Sequence, residues 1–281
     1  MDKTDEYIGR VKHLPPAPTA ATELLDLFND PNRDIDRVVD LIGLDPSLTA
    51  EVLGRCNSAF LRGAEPASNI FDAVSRLGFY EVYCVVAAVV GARTLSLGRA
   101  NGPLDKANFW RHSVTTAVAA VALARRVEQP EAVAFTTGLL HDVGKLVFAS
   151  VEEAAYAGLI RQTGGFGSAL AKAEEAQLGV THATVGARLL ARWALPSNIA
   201  LAVLHHHHSP AAAAPFERLA AIVHLANCLA HFVTDNAPRE LAASNPDAMV
   251  LLELTAQEVP AVVEEIKEGL QRAEGLLQMM A

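Results

Sequence analysis

The chain has no sizeable cluster of lysine and arginine. Twenty-three basic residues face 32 acidic ones, for a formal charge of −9. A surface of that sign repels phosphate backbones, so a nucleic-acid partner is not expected. Cysteine is scarce too. Cys56, Cys84 and Cys228 are odd in number and far apart, which excludes a disulfide framework or a zinc knuckle and reads as buried free thiols of a reducing cytosol. Aromatic residues make up only 6% of the chain, and no stretch alternates apolar with polar, so strands are not expected. The longest nearly unbroken apolar runs, Val82–Ala92 and Val114–Ala124, are too short to span a bilayer. The opening Met-Asp-Lys-Thr-Asp-Glu lacks the apolar core of a signal peptide, and a cytoplasmic location is expected.

What is abundant is alanine, leucine and helical periodicity. Of 281 residues, 51% are hydrophobic, enough for a substantial core. The expected fold class is all-α, in two packed helical subdomains. Residues 1–100 read as short helices between Pro, Gly and Asp turns, after a stiff segment at Leu14–Pro18. A first apolar face falls in 21–28, broken by Asn29-Asp-Pro-Asn32, and a second carries Ile35, Val38, Val39 and Ile42. Asp45-Pro46 has the form of a helix start, with Asp45 as cap and Pro46 at the first helical position. Asn69 and Asp72 have capping-box spacing. Gly78 interrupts a nearly all-apolar helix that continues over 80–90. The turn at 98–103 marks the expected boundary. Beyond it, 104–235 carries helical spacing over 109–127, 131–141, 154–162, 169–178, 182–192, 197–205 and 216–232. Residues 235–247 read as a loop, and 236–281 form an extension with one or two amphipathic helices over 255–280.

The chemistry sits in Gly138-Leu-Leu-His-Asp-Val-Gly-Lys145. Adjacent His141 and Asp142 put an imidazole and a carboxylate within reach of one metal ion, and His112, His182 and His205–His208 flank them at helical distances. Taken with Leu14–Pro18, Asn29-Asp-Pro31, Asp45–Ala50, Asn57–Phe60, Ile70–Leu77, Phe109–His112, Thr181-His182 and Trp193–Pro196, this ordered series resembles the HDOD family, the HD-related output domains of bacterial signalling proteins, over roughly 14–232. The resemblance implies a C-terminal helical subdomain related to the HD-type metallophosphohydrolase core. It implies a first metal position at His112, His141 and Asp142, with a distant aspartate. It further implies a second position that uses His182, His206 and His207.

The distant aspartate should fall in Val223–Cys228, where this chain has Asn227. An amide oxygen carries no formal charge, so the site retains a single recognisable carboxylate. The Gly-Tyr-Pro segment of the cyclic-dinucleotide phosphodiesterases is also absent; Ser209-Pro-Ala-Ala follows the histidine run. Three readings stay open: histidines packed as core without an ion, a silent site holding a divalent ion (Fe, Mn, Zn or Ni), and an active phosphohydrolase with altered ligands. Adjacent helical residues point about 100° apart, so at most two of His205–His208 can serve one ion. Lys145 is either a phosphate-binding residue, as in HD hydrolases, or a surface charge near a helix end. Asn57-Ser58 is expected to end a helix and bond the following loop. His224, His231, Trp110 and Trp193 read as structural.

The leading expectation is a non-enzymatic signalling output module whose partners are signalling proteins. The alternative is a metal-dependent phosphohydrolase or phosphodiesterase acting on a nucleotide or cyclic dinucleotide. A third is a sensor holding a nucleotide ligand in the old cleft. The remaining length has no room for a receiver or GGDEF-type domain.

Overall fold

The computed structural model describes residues 2–11, 23–24, 27, 34–59, 67–94, 102–165, 167–193, 195–208, 213–235 and 246–273. The leading segment 14–18, most of the first expected helix and its break, and most of the turn at 98–103 lie outside them. Among the described residues the chain is helical, with no strand. In chain order the helices are α1 Lys3–Arg10, α2 Ile35–Gly43, α3 Pro46–Ala59, α4 Ile70–Thr94, α5 Lys106–Arg126, α6 Glu131–Leu140 and α7 Val143–Val151. They continue as α8 Glu153–Thr163, α9 Gly167–Leu178, α10 His182–Arg192, α11 Ser197–His205, α12 Glu217–Asp235, α13 Pro246–Leu251 and α14 Val259–Arg272.

The centre of the bundle is α5. Asp105 caps it by accepting from the amides of Ala107 and Asn108, and from Ser113 to Ala124 every residue but Val118 is buried. Its alanines let α6, α12 and α14 close in on several sides, so the chain's apolar surplus is spent on one shared core. The extension past 235 therefore packs onto α5 and α12. It also contains α13, whose first two residues, Pro246 and Asp247, fall inside the expected loop. A proline at the first helical position explains the difference, because Pro246 starts a helix as readily as it ends a loop.

The N-terminal helices α2 and α3 pack on α4. Leu48 N–H donates to Asp45, and Asn69 accepts from Asp72 N–H, so both expected starts are capped. Asp72 does not reach back; it pairs with Arg76. Gly78 bends α4 at φ 79°, ψ 160°, a backbone that glycine adopts without Cβ strain. Asn57 accepts from the N–H of Ala67 and donates to its C=O, ten positions on. Beyond the bend, α4 runs against α6, where the Tyr83 and Thr136 hydroxyls meet at 2.5 Å in a buried bond. Tyr83→Phe leaves the Thr136 hydroxyl short of that partner. It is expected to cost about 1–2 kcal/mol in urea unfolding; no change would show that the two parts are joined by apolar packing alone.

Helix α1, not foreseen in the sequence, docks on α7 and α10. Asp5 bridges Arg188 and Arg192, and the Tyr7 hydroxyl donates to the Leu178 carbonyl. The stretch Glu131–Val151 has the length and composition of a membrane span, which the two shorter runs named above lacked. It is mostly buried inside the bundle and broken at His141-Asp142. Cys56 and Cys84 are buried, whereas Cys228 is partly exposed.

Candidate metal centre

The break between α6 and α7 builds the site. His141 is the last cap of α6 and Asp142 the first of α7, so the two side chains leave the helices at a corner instead of along one face. Both are fully buried, with Lys145 beside them. Helix α5 supplies His112 and α10 supplies His182 at its first position, set by the Thr181 cap. The turn after α11 supplies His206 and His207. His205 and His208 lie against each other instead, with His208 exposed.

The side chains converge on Asp142. Oδ2 lies 3.3 Å from His141 Nε2 and 3.8 Å from His112 Nε2, which are 3.3 Å from each other. Oδ1 lies 3.3 Å from His182 Nε2 and 3.6 Å from His206 Nε2, and His207 Nε2 is 2.9 Å from His182 Nε2. Two potential ligand groups thus share one carboxylate: His112, His141, Asp142 on one side and Asp142, His182, His206, His207 on the other.

Hydrogen bonds fix which ring atoms point inward. His141 Nδ1 lies 2.7 Å from the Gly138 carbonyl and His206 Nδ1 2.6 Å from the Val203 carbonyl. A carbonyl only accepts, so both Nδ1 atoms carry hydrogen and both Nε2 atoms are lone pairs when the rings are neutral. His182 Nδ1 donates to Glu174 at 2.6 Å, with the same result. Three Nε2 lone pairs therefore face a carboxylate, acceptor against acceptor. Asp142 Oδ1 and His206 Nε2 have no hydrogen-bond partner despite full burial. A cation, added protons or a water donating to both acceptors would satisfy that arrangement.

The titration directions agree with the geometry. Burial, reinforced by His231 and His141, holds His112 well below its usual range. Burial likewise lowers His206 to about 4 and His207 well below normal, the neutral state that ligates metal. Burial would lower His182 as well, but Glu174 and Asp142 outweigh it and raise the value. Burial would raise Asp142, but His141 and Lys145 hold it well below the carboxylate range. The donor set fits a borderline divalent ion such as zinc or ferrous iron, with His112, His141, His182, His206, His207 and Asp142 as its candidate holders.

Lys145 is not a surface charge: it is 5% exposed, with Nζ 2.6 Å from Asp142 Oδ2. Asn227 is buried, its Oδ1 without a hydrogen-bond partner. It lies on one face of α12 between His224, which bonds the His206 carbonyl, and His231, which stacks on His112 at 4.3 Å. The two histidines read as structural thus line the cluster. Glu174 was missed. It is completely buried on α9, accepts from the His182 N–H and ring, and from the Tyr156 hydroxyl at 2.8 Å. A carboxylate within an apolar helical face, eight residues before a histidine, was the available signal.

Comparison with known proteins agrees with this architecture. Over 98% of both chains, the fold matches a Shewanella amazonensis SB2B protein provisionally assigned as a phosphohydrolase, with TM-score 0.75 and 25% identity. It also matches a Marinobacter aquaeolei VT8 protein provisionally assigned to signal transduction, with TM-score 0.74 and 26% identity, over 99% of this chain and 64% of that one. An uncharacterized protein of Treponema pallidum (strain Nichols) is 25% identical over 233 residues, 82% of this chain; the chain spans 45% of that relative's length. The HDOD domain profile matches residues 14–209, ending short of the expected 232. With that match over most of its length, and with the HD-type corner at His141-Asp142 inside an all-helical bundle, the chain belongs to the HDOD family.

Proposed function

We propose that the chain is a signal-transduction output module that acts on signalling proteins through its surface, and that its HD-type centre binds an ion without hydrolysing a phosphoester. The division into a helical part up to residue 100, an HD-like core over 104–235 and an appended extension is part of this reading. One observation carries it: the single carboxylate of the centre is buried and already neutralised by Lys145. An HD-type hydrolase needs anionic ligands to organise its ions and a route for a phosphoester to reach them. Here Asp142 is 1% exposed and the second carboxylate is the amide of Asn227. A bound divalent ion supplies Lewis-acid polarisation in such folds.

The expected result is no turnover of cyclic di-GMP, nucleotide monophosphates or bis(4-nitrophenyl) phosphate by tag-free protein with manganese or ferrous iron, with His141→Ala indistinguishable from wild type. Turnover by wild type that His141→Ala abolishes would overturn the reading. The phosphohydrolase alternative draws on the converging histidines and on the assignment of the Shewanella relative.

A further inference from the structure

The two halves of the centre are not equivalent. On the Oδ2 side, the carboxylate oxygen that His112 and His141 would share with an ion is in contact with the Lys145 ammonium at 2.6 Å. An ion bonded to that oxygen at about 2.1 Å would sit a few ångströms from a fixed positive charge in a medium that screens poorly. By the family resemblance, the remaining oxygen ligand on this side is the uncharged amide of Asn227. On the Oδ1 side the ammonium makes no direct contact. Oδ1 and His206 Nε2 are both buried without partners, as is His112 Nδ1 in the other half, so the difference between the halves rests on Lys145. The separations there, 2.9, 3.3 and 3.6 Å, are close to the edges of about 3.0–3.4 Å that a coordination polyhedron with bonds near 2.1 Å requires; those on the other side, 3.3, 3.3 and 3.8 Å, are little different.

Glu174 strengthens the same half. Its carboxylate, held by the Tyr156 hydroxyl, takes the His182 ring N–H and so turns Nε2 inward with added basicity. The fixed charges buried around the centre are Asp142 and Glu174 against Lys145, one negative charge in excess. One divalent ion leaves a single positive charge in this interior; a second would leave three, without new ligands to offset them.

From this we infer that the centre takes one divalent ion per chain, held by Asp142 Oδ1, His182, His206 and His207, and that Lys145 stands in for the second cation on the His112–His141 side. Glu174 is a positioning residue for that ion. The inference rests on reading the cluster as an HD-type metal centre.

The test is metal content by elemental analysis of tag-free protein, loaded with zinc and passed through gel filtration, with cobalt substitution as a spectroscopic check. One ion per chain is expected. His206→Ala should lose it and His112→Ala should keep it. His207 lies at the partly exposed rim, so His207→Ala serves if His206→Ala does not fold, and circular dichroism reports folding for each variant. Glu174→Gln should weaken zinc binding by about 10–100-fold and alter the cobalt d–d bands. Lys145→Met should raise the capacity toward two ions. Two ions in wild type, or one that His112→Ala removes and His207→Ala spares, would overturn the inference and leave the metal-centre reading intact. No ion in any folded form would overturn both.

Discussion

Asp142→Ala is expected to destabilise the protein by about 3–5 kcal/mol, the cost of leaving a buried ammonium without its counter-charge. Lys145 is 5% exposed and its Nζ rests on Asp142 Oδ2, so removing the carboxylate strands a largely buried ammonium. The double variant Asp142→Ala/Lys145→Met removes both charges and should recover most of the loss in chemical denaturation. A single-variant loss under 1 kcal/mol would mean that Lys145 finds another partner. The pH dependence has a defined sign. Burial raises the Asp142 value, His141 and Lys145 lower it more, and the folded value lies well below the unfolded 3.8. Its contribution is therefore present above about pH 4 and is lost only as the pH falls through the depressed folded value.

Gly144→Ala should be comparably damaging, at about 3 kcal/mol or more, or should prevent folding. A Cβ on Gly144 would stand 2.0 Å from the His182 carbonyl oxygen and 2.8 Å from the Gly186 amide nitrogen. Both obstacles are backbone, so no rotamer change relieves them, and α7 must lift from α10. That separation would also carry His182 away from Asp142. Gly158→Ala is the control. Gly158 lies inside α8 with nothing within 4 Å of its Cβ position, and there alanine should stabilise by about 0.5–1 kcal/mol. If both alanines have small effects of equal sign, the close crossing of α7 and α10 is not maintained in solution.

The elements were legible where local rules decide them. Asp45-Pro46 and Asn69 begin helices because a side-chain oxygen can satisfy the exposed amides of a first turn, whatever surrounds it. The bend at Gly78 is equally local. The all-helical class and the His-Asp motif follow from periodicity and spacing in the same way. Less legible were the short pieces. Helix α7 begins within two residues of α6, so the apolar pattern runs through the corner without a break, and the pattern does not register that Asp142 abandons helical geometry. Helix α1 carries its own cap, Asp2 accepting from the Thr4 N–H, but the Leu178 carbonyl, Arg188 and Arg192 that it docks against lie more than 170 positions away.

The same division runs through the centre. The sequence by itself determined which residue types were available for a metal: several histidines, a single carboxylate at Asp142 and an amide at Asn227. Only the tertiary structure decided what each one faces. It placed Lys145 on Asp142 Oδ2, turned the Nδ1 atoms of His141 and His206 to backbone carbonyls, and brought Glu174 and His231 in as neighbours. The reason is physical. Ligand identity is covalent and local, whereas the charge, tautomer and accessibility of each group depend on what is packed within a few ångströms of it, and those neighbours come from helices far apart in the chain.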